Sequence, residues 1–160
     1  MDFTIRLLTP DDVATVVEFS LRSWAPVFAS FERVLGSTVY QRLYPDWLTS
    51  QAEGVEAVCR DEKATVWVAD IDGRPVGFAA VYVDSVAHSG EIEMLAVDPD
   101  SQRAGIGTAL TDLAVEHLRA AGVTLAVVGT GGDPGHAPAR RTYEKAGFVG
   151  LPLVRYYKKL

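Results

Sequence analysis

The chain has 160 residues, 48% of them apolar, with 15 Lys+Arg against 21 Asp+Glu. That length suits one domain, 1–160, able to bury roughly two-thirds of its unfolded surface without a metal or disulfide staple. The formal net charge of −6 and a sequence pI near 5.0 argue against a dedicated nucleic-acid binder.

The amino terminus, Met1-Asp2-Phe3-Thr4-Ile5-Arg6, has neither the basic start nor the apolar block of a signal peptide. No apolar run approaches the ~20 residues needed to span a bilayer. A cytoplasmic protein without membrane contact is expected. Phe3 to Leu7 alternates apolar and polar, as a half-buried strand does. Thr9-Pro10-Asp11-Asp12 then places a capping hydroxyl, a first-turn proline and two acids at a helix start, and predicts a helix to about Trp24. Residues 26–60 read as mostly helical and carry Phe28, Phe31, Tyr40, Tyr44 and Trp47. The single cysteine, Cys59, excludes an internal disulfide, and a small buried thiol is the reading that its surroundings favour.

After residue 60 the period shortens. Thr65 to Ile71 is β-branched and aromatic, Asp72-Gly73 signals a hairpin turn, and Pro75 to Asp84 supplies the return strand. Gly90 to Val97 predicts a further strand. Gly105 to Ala121 predicts a helix with Ile106, Leu110, Leu113 and His117 on one stripe, closed by Ala121-Gly122. Val123 to Val128 reads as a strand buried on both faces. The loop Gly131-Gly132-Asp133-Pro134-Gly135 leads to a short helix over 138–146, and a final strand is expected towards Tyr156-Tyr157. The predicted order β-α-α-β-β-β-α-β-α-β makes an α/β (α+β) domain, a mixed central sheet flanked by helices on both faces.

The most informative stretch runs from Glu91 to Thr108. A strand ends, a loop with two glycines follows, and a helix begins. Unpaired N–H groups at a helix start form an anion site, glycine admits a bulky phosphate, and Arg103 adds a charged donor. A Walker-type loop would need Lys-Ser/Thr after Gly107, where Thr108-Ala109 stand. A dinucleotide fingerprint would need a small residue at Leu110. Neither fits; a plain helix start is the bland alternative.

Gln102-x-x-Gly105-x-Gly107 resembles the Q/R-x-x-G-x-G/A signature of the GNAT N-acetyltransferase superfamily. Ala139-Arg140-Arg141-Thr142-Tyr143-Glu144-Lys145-Ala146-Gly147-Phe148 resembles the second, A-x-x-x-Y-E-K-x-G-F, at the right distance. Together they cover about 91–148, and the predicted element order fits the family fold. The resemblance implies acetyl-CoA as acyl-donor cosubstrate. Backbone groups of Leu95, Ala96 and Val97 would pair with the pantetheine arm, and amides from Arg103 through Ala104, Gly105, Ile106 and Gly107 to Thr108 would cradle the pyrophosphate. Tyr143 would give a proton to the leaving thiolate, while Arg140 on the same helix either contacts cofactor phosphates or faces solvent. The family often has Asn seven residues before that tyrosine, steadying the cofactor arm; here the position is His136, which either takes over that contact with the cofactor or marks a loop arranged differently. Dimerisation is common in the family.

Transfer to an ammonium with a pKa of ~10 requires a base or water chain at neutral pH. Glu91 and Glu93 are the candidates. Regular alternation puts them on one face with Ile92 and Met94 on the other, whereas a bulge between them reverses the parity. His88, His117 and His136 show no metal-ligand spacing, so no metal is expected. The aromatic stretch from Trp24 to Trp47, with Glu32 and Asp46 nearby, either receives a cationic amine or packs helices. The reading is an N-acetyltransferase acting on a primary amine, small or protein-borne, by direct transfer in a ternary complex. The alternatives are a non-catalytic acyl-CoA sensor and a nucleotide binder that does not use CoA. Charge distribution fits the first. Residues 1–100 carry 17 acidic and 7 basic side chains, whereas 101–160 carry 4 and 8, the basic part beginning at the glycine turn.

Overall fold

The structure, a computed structural model, describes residues 2–160. Five strands form one sheet in the order β1-β2-β3-β4-β5: Thr4–Leu7, Thr65–Ile71, Arg74–Asp84, Ser89–Val97 and Leu125–Val128. The first four are antiparallel neighbours, and β5 joins β4 in parallel. The β2–β3 turn is Asp72-Gly73, with φ of 52° and 84°, the double positive φ that a two-residue hairpin turn requires.

Strand alternation divides the core into two layers. From β2, Val66 and Val68 face helices α1 (Val13–Leu35) and α3 (Trp47–Arg60), where they meet Val16, Phe19 and Val55. Trp67 and Ala69 point the other way, onto α4 (Ile106–Ala120), among Ile106, Leu110 and Leu118. Phe78 is fully buried in the first layer, with its ring 6.2 Å from Phe19 and 6.5 Å from Trp24. Truncation there to alanine costs about 3–5 kcal/mol. His117 lies edge-on to Trp67 at 4.8 Å, a packing role consistent with its place on the α4 stripe. Arg6 in β1 forks between Asp12 at the start of α1, at 2.7 and 2.9 Å, and Asp70 in β2, at 2.7 and 3.0 Å. Hydrogen bonds from that guanidinium hold the Asp12 carboxyl down at about 2. No helix among the described residues is long and apolar enough to cross a membrane.

Three sequence expectations are corrected. The first helix does not end near Trp24 but runs through Pro26 to Leu35. A mid-helix proline costs about 3 kcal/mol. Burial of Val27 and Phe28 just after it, with Phe28 stacked on Trp47 at 4.4 Å, offsets that cost. The β5 strand is not buried on both faces: Ala126 and Val128 pack in the α4 layer, whereas Leu125 and Val127, on the opposite face, are exposed. No final strand forms. Residues 149–160 have no ladder partner and are exposed, and Gly150 and Pro152 interrupt the run that suggested a strand.

Candidate active site

The site begins where two strands part. Along one edge, β4 pairs with β3 as far as Val97, opposite Gly77. Along the other edge, it pairs with β5 only from Ser89 to Ile92. From Glu93 onward the second edge is unpaired, and its backbone groups border a cleft of about 730 Å³. The sheet opens there like a fork.

At the root of the fork lies a β-bulge. Ala80 is opposite Met94 while the next residue, Val81, is opposite Ile92, so Glu93 is the extra residue. Regular alternation over Ile92 and Met94 is therefore wrong: Ile92 packs in the α4 layer and Met94 against the α1/α3 layer. The bulge separates the two candidate bases as well. Glu93 lines the cleft, whereas Glu91, paired with Tyr82, does not.

The floor of the cleft is built from Leu95, Ala96 and Val97, the exposed edge of β4. At its end the chain turns at residues 98–101. There the Asp98 carboxylate accepts from the Asp100 N–H and takes a 2.7 Å bond from Arg22 of α1. Gly105 then adopts φ +83°, a left-handed conformation that glycine accepts freely, and turns the chain into α4. The first bond of that helix runs from the Ala109 N–H to the Gly105 carbonyl, and no side chain caps its start. The N–H groups of Ile106, Gly107 and Thr108 are thus left for a ligand, at the positive end of the helix dipole. Gln102 and Arg103 line the same end, with the Gln102 amide donating to the Val97 carbonyl at 3.3 Å. These donors fit a pyrophosphate. Ala104 belongs to the same turn but does not line the cleft.

Helix α5 (Ala137–Lys145) forms the opposite wall, where His136, Ala139 and Tyr143 line the cleft. The Tyr143 side chain is buried, its ring edge-on to Phe148 at 6.0 Å, and burial pushes its phenol up to about 12. Arg140 lies off the cleft and serves the loop: its guanidinium donates to the carbonyls of Gly131 and Asp133, at 2.6 and 2.8 Å.

The aromatic stretch mostly packs on itself. Phe28 stacks on Trp47, Phe31 stacks on Tyr44 at 5.5 Å, and edge contacts join the two pairs. This cluster ties α1 to α2 (Ser37–Leu43) and α3. Of the stretch's rings, Trp24 lines the cleft. Cys59 is buried in the α1/α3 layer, and burial pushes its thiol up to about 11. It stands outside the cleft.

Three contributors were not evident in the sequence: Gln51 from α3, Thr130 beyond β5, and the Ser30–Asp133 contact behind His136. The Asp-Pro-Gly run at 133–135 carried a signal for the last, since Asp133 caps its own turn by accepting from the Gly135 N–H at 3.1 Å. Nothing in the sequence pairs it with Ser30, 103 residues away.

The fold recurs in known proteins. The E. coli ribosomal-protein-S18-alanine N-acetyltransferase superposes with a TM-score of 0.67 at 22% identity, covering 94% of this chain and 80% of that one. A PaiA N-acetyltransferase of Thermoplasma acidophilum, solved with coenzyme A, gives 0.66 at 18% identity, over 91% and 89%. At these identities the likeness is one of fold. In sequence, a mycothiol acetyltransferase of Streptomyces coelicolor is 34% identical over 96 residues, which are 56% of this chain and 30% of that protein. The chain thus spans about a third of the length of the mycothiol acetyltransferases it resembles. The model of the acetyltransferase (GNAT) family matches residues 24–148, from the tryptophan that lines the cleft to the phenylalanine beside Tyr143. With both signatures inside that match, the chain belongs to the GNAT acetyltransferase family.

Proposed function

We propose that the protein transfers the acetyl group of acetyl-CoA to a primary amine, directly within a ternary complex. The observation that carries this reading is the fork at Glu93. It exposes a strand edge, an uncapped helix start, a carboxylate and a buried phenol to one cleft.

In this reading Leu95, Ala96 and Val97 bind the pantetheine arm as an added strand would be bound. Gln102, Arg103 and the amides to Thr108 hold the pyrophosphate. A backbone N–H near Leu95 polarises the thioester carbonyl as oxygen gains charge. Glu93 draws in the ammonium and accepts its first proton, directly or through water, while Glu91 stays outside. Tyr143 gives its proton to the departing sulfur. A phenol pushed up to about 12 stays protonated at neutral pH, so the acid form is the one present as the sulfur leaves. A covalent route through Cys59 is disfavoured, since burial keeps that thiol protonated and it does not reach the cleft.

The test measures free thiol while acetyl-CoA and a panel of primary amines are varied together. Ternary-complex transfer predicts intersecting initial-velocity lines with at least one amine. Parallel lines would contradict direct transfer. Tight acetyl-CoA binding with no thiol release from any amine would replace the enzyme reading with a non-catalytic sensor.

A further inference from the structure

Behind the cleft wall lies a hydrogen-bonded chain that the reading above leaves unused. Asp133 sits in the loop before α5, its side chain only 9% exposed. One carboxylate oxygen accepts the Ser30 hydroxyl of α1 at 2.6 Å and the Gly135 N–H at 3.1 Å. The other meets Nδ1 of His136 at 2.5 Å. Burial opposes charge on Asp133, but the bonds from Ser30 and His136 together outweigh it and hold the carboxyl below its usual range. Ser30 is itself 1% exposed, and Phe31 lies against the imidazole at 5.5 Å. The geometry is fixed from outside as well. Arg140 ties down two loop carbonyls, and a methyl group on Gly135 would lie 2.6 Å from the Ser30 Cβ.

An ionised carboxylate only accepts hydrogen bonds, so the proton between Asp133 and His136 belongs to Nδ1. In the neutral ring Nε2 then carries the lone pair, and His136 lines the cleft. Tyr143, seven residues further along on α5, lines the cleft too. The other titratable side chains on the cleft are Glu93, Arg103, Arg141 and Lys145.

Proton balance gives this ring a task. An ammonium must lose two protons to become an amide nitrogen, and the thiolate takes up one. Glu93 accounts for the first loss, before attack. We propose that His136 is the second proton acceptor of this reaction and that Asp133 and Ser30 are its positioning pair, an inference that rests on the acetyl-transfer reading. The amine nitrogen forms its bond to the carbonyl carbon while the π pair moves to oxygen. As that pair returns, the carbon–sulfur bond breaks and its electrons leave with sulfur. His136 Nε2 takes the remaining surplus proton from nitrogen, and Tyr143 protonates the sulfur. The imidazolium then returns its proton through water to the Tyr143 phenolate. One ammonium and one thioester become one amide, one thiol and one proton released to solvent.

Two experiments on the intact chain test this. In the ¹⁵N spectrum of the imidazole, the wild-type protein should show Nδ1 protonated and Nε2 bare, and Asp133→Asn should abolish that preference. His136→Ala should lower kcat about 100-fold or more while leaving acetyl-CoA affinity, measured by calorimetry, within about threefold. Added imidazole should then restore at least tenfold of the lost rate. Asp133→Asn should lower kcat about tenfold with little change in KM. A proton found on Nε2 in the neutral wild-type ring would overturn the proposal. So would His136→Ala that weakens acetyl-CoA binding at unchanged kcat, or that does not respond to imidazole. Wild-type protein that acetylates no amine would instead overturn the acetyl-transfer reading and this one with it.

Discussion

Replacing Tyr143 with phenylalanine isolates one proton. The hydroxyl makes no side-chain hydrogen bond among the described residues, and the ring is held by burial and by Phe148. Tyr143→Phe should therefore leave thermal stability within about 0.5 kcal/mol of wild type. Activity should fall much further. General acid groups contribute 10²–10⁴-fold, so kcat should drop by about 100-fold at the least. Burial raises the phenol from 10 to about 12, a shift of roughly 3 kcal/mol against ionisation. The acid form should therefore persist at alkaline pH, and the descending limb of the wild-type rate should lie well above the ordinary tyrosine range. Thiol release measured from pH 7 to 11 checks both points. A descending limb near 10, or a Tyr143→Phe variant within about threefold of wild type, would refute the assignment of Tyr143 as the acid.

Glu93→Gln should lower kcat/KM for the amine by about tenfold or more, whereas Glu91→Gln should stay within about threefold, because only the former borders the cleft; steady-state kinetics at saturating acetyl-CoA separate them. Gly135→Ala should push the loop from α1, costing about 1–3 kcal/mol in chemical denaturation and lowering kcat through the Ser30–Asp133 contact. Asp12→Asn should cost about 1–2 kcal/mol at pH 7, a figure discounted for the solvent access of Arg6. Because the folded carboxyl is depressed to about 2 from an unfolded value near 3.8, its contribution is full above that unfolded value and disappears as pH falls through about 2. Denaturation series at pH 7, 4 and 2 should show the wild-type advantage over Asp12→Asn shrinking across the acid end.

What the sequence disclosed and withheld follows from the range of each interaction. Local patterns were readable: the β2–β3 hairpin from Asp72-Gly73, the α4 stripe from its period, and the glycine turn that starts α4 from Gly105 and Gly107. The passage of α1 through Pro26 was not, because it depends on Phe28 meeting Trp47 from another helix. The bulge lies beyond local reasoning. Residues 91–94 read equally well in either parity, and only pairing with Ala80 and Val81 on the neighbouring strand selects one. The same holds for His136. Its chemical type was visible, but its partner Asp133 is oriented by a serine on the far side of the fold.

The charge split gains a physical location. Arg103, Arg141 and Lys145 of the basic segment line the cleft, while Glu93 of the acidic segment stands at the fork. A polyanionic donor and a cationic acceptor would thus approach groups of opposite sign.

The most direct measurement follows the acetyl group itself. The protein is mixed with acetyl-CoA labelled in the acetyl carbonyl and a panel of primary amines, quenched over time, and the label located. Direct acetyl transfer predicts label passing from thioester to an amide product with none on the protein at any time. Label accumulating on the protein first, or remaining wholly in the thioester while acetyl-CoA binds tightly, would contradict it.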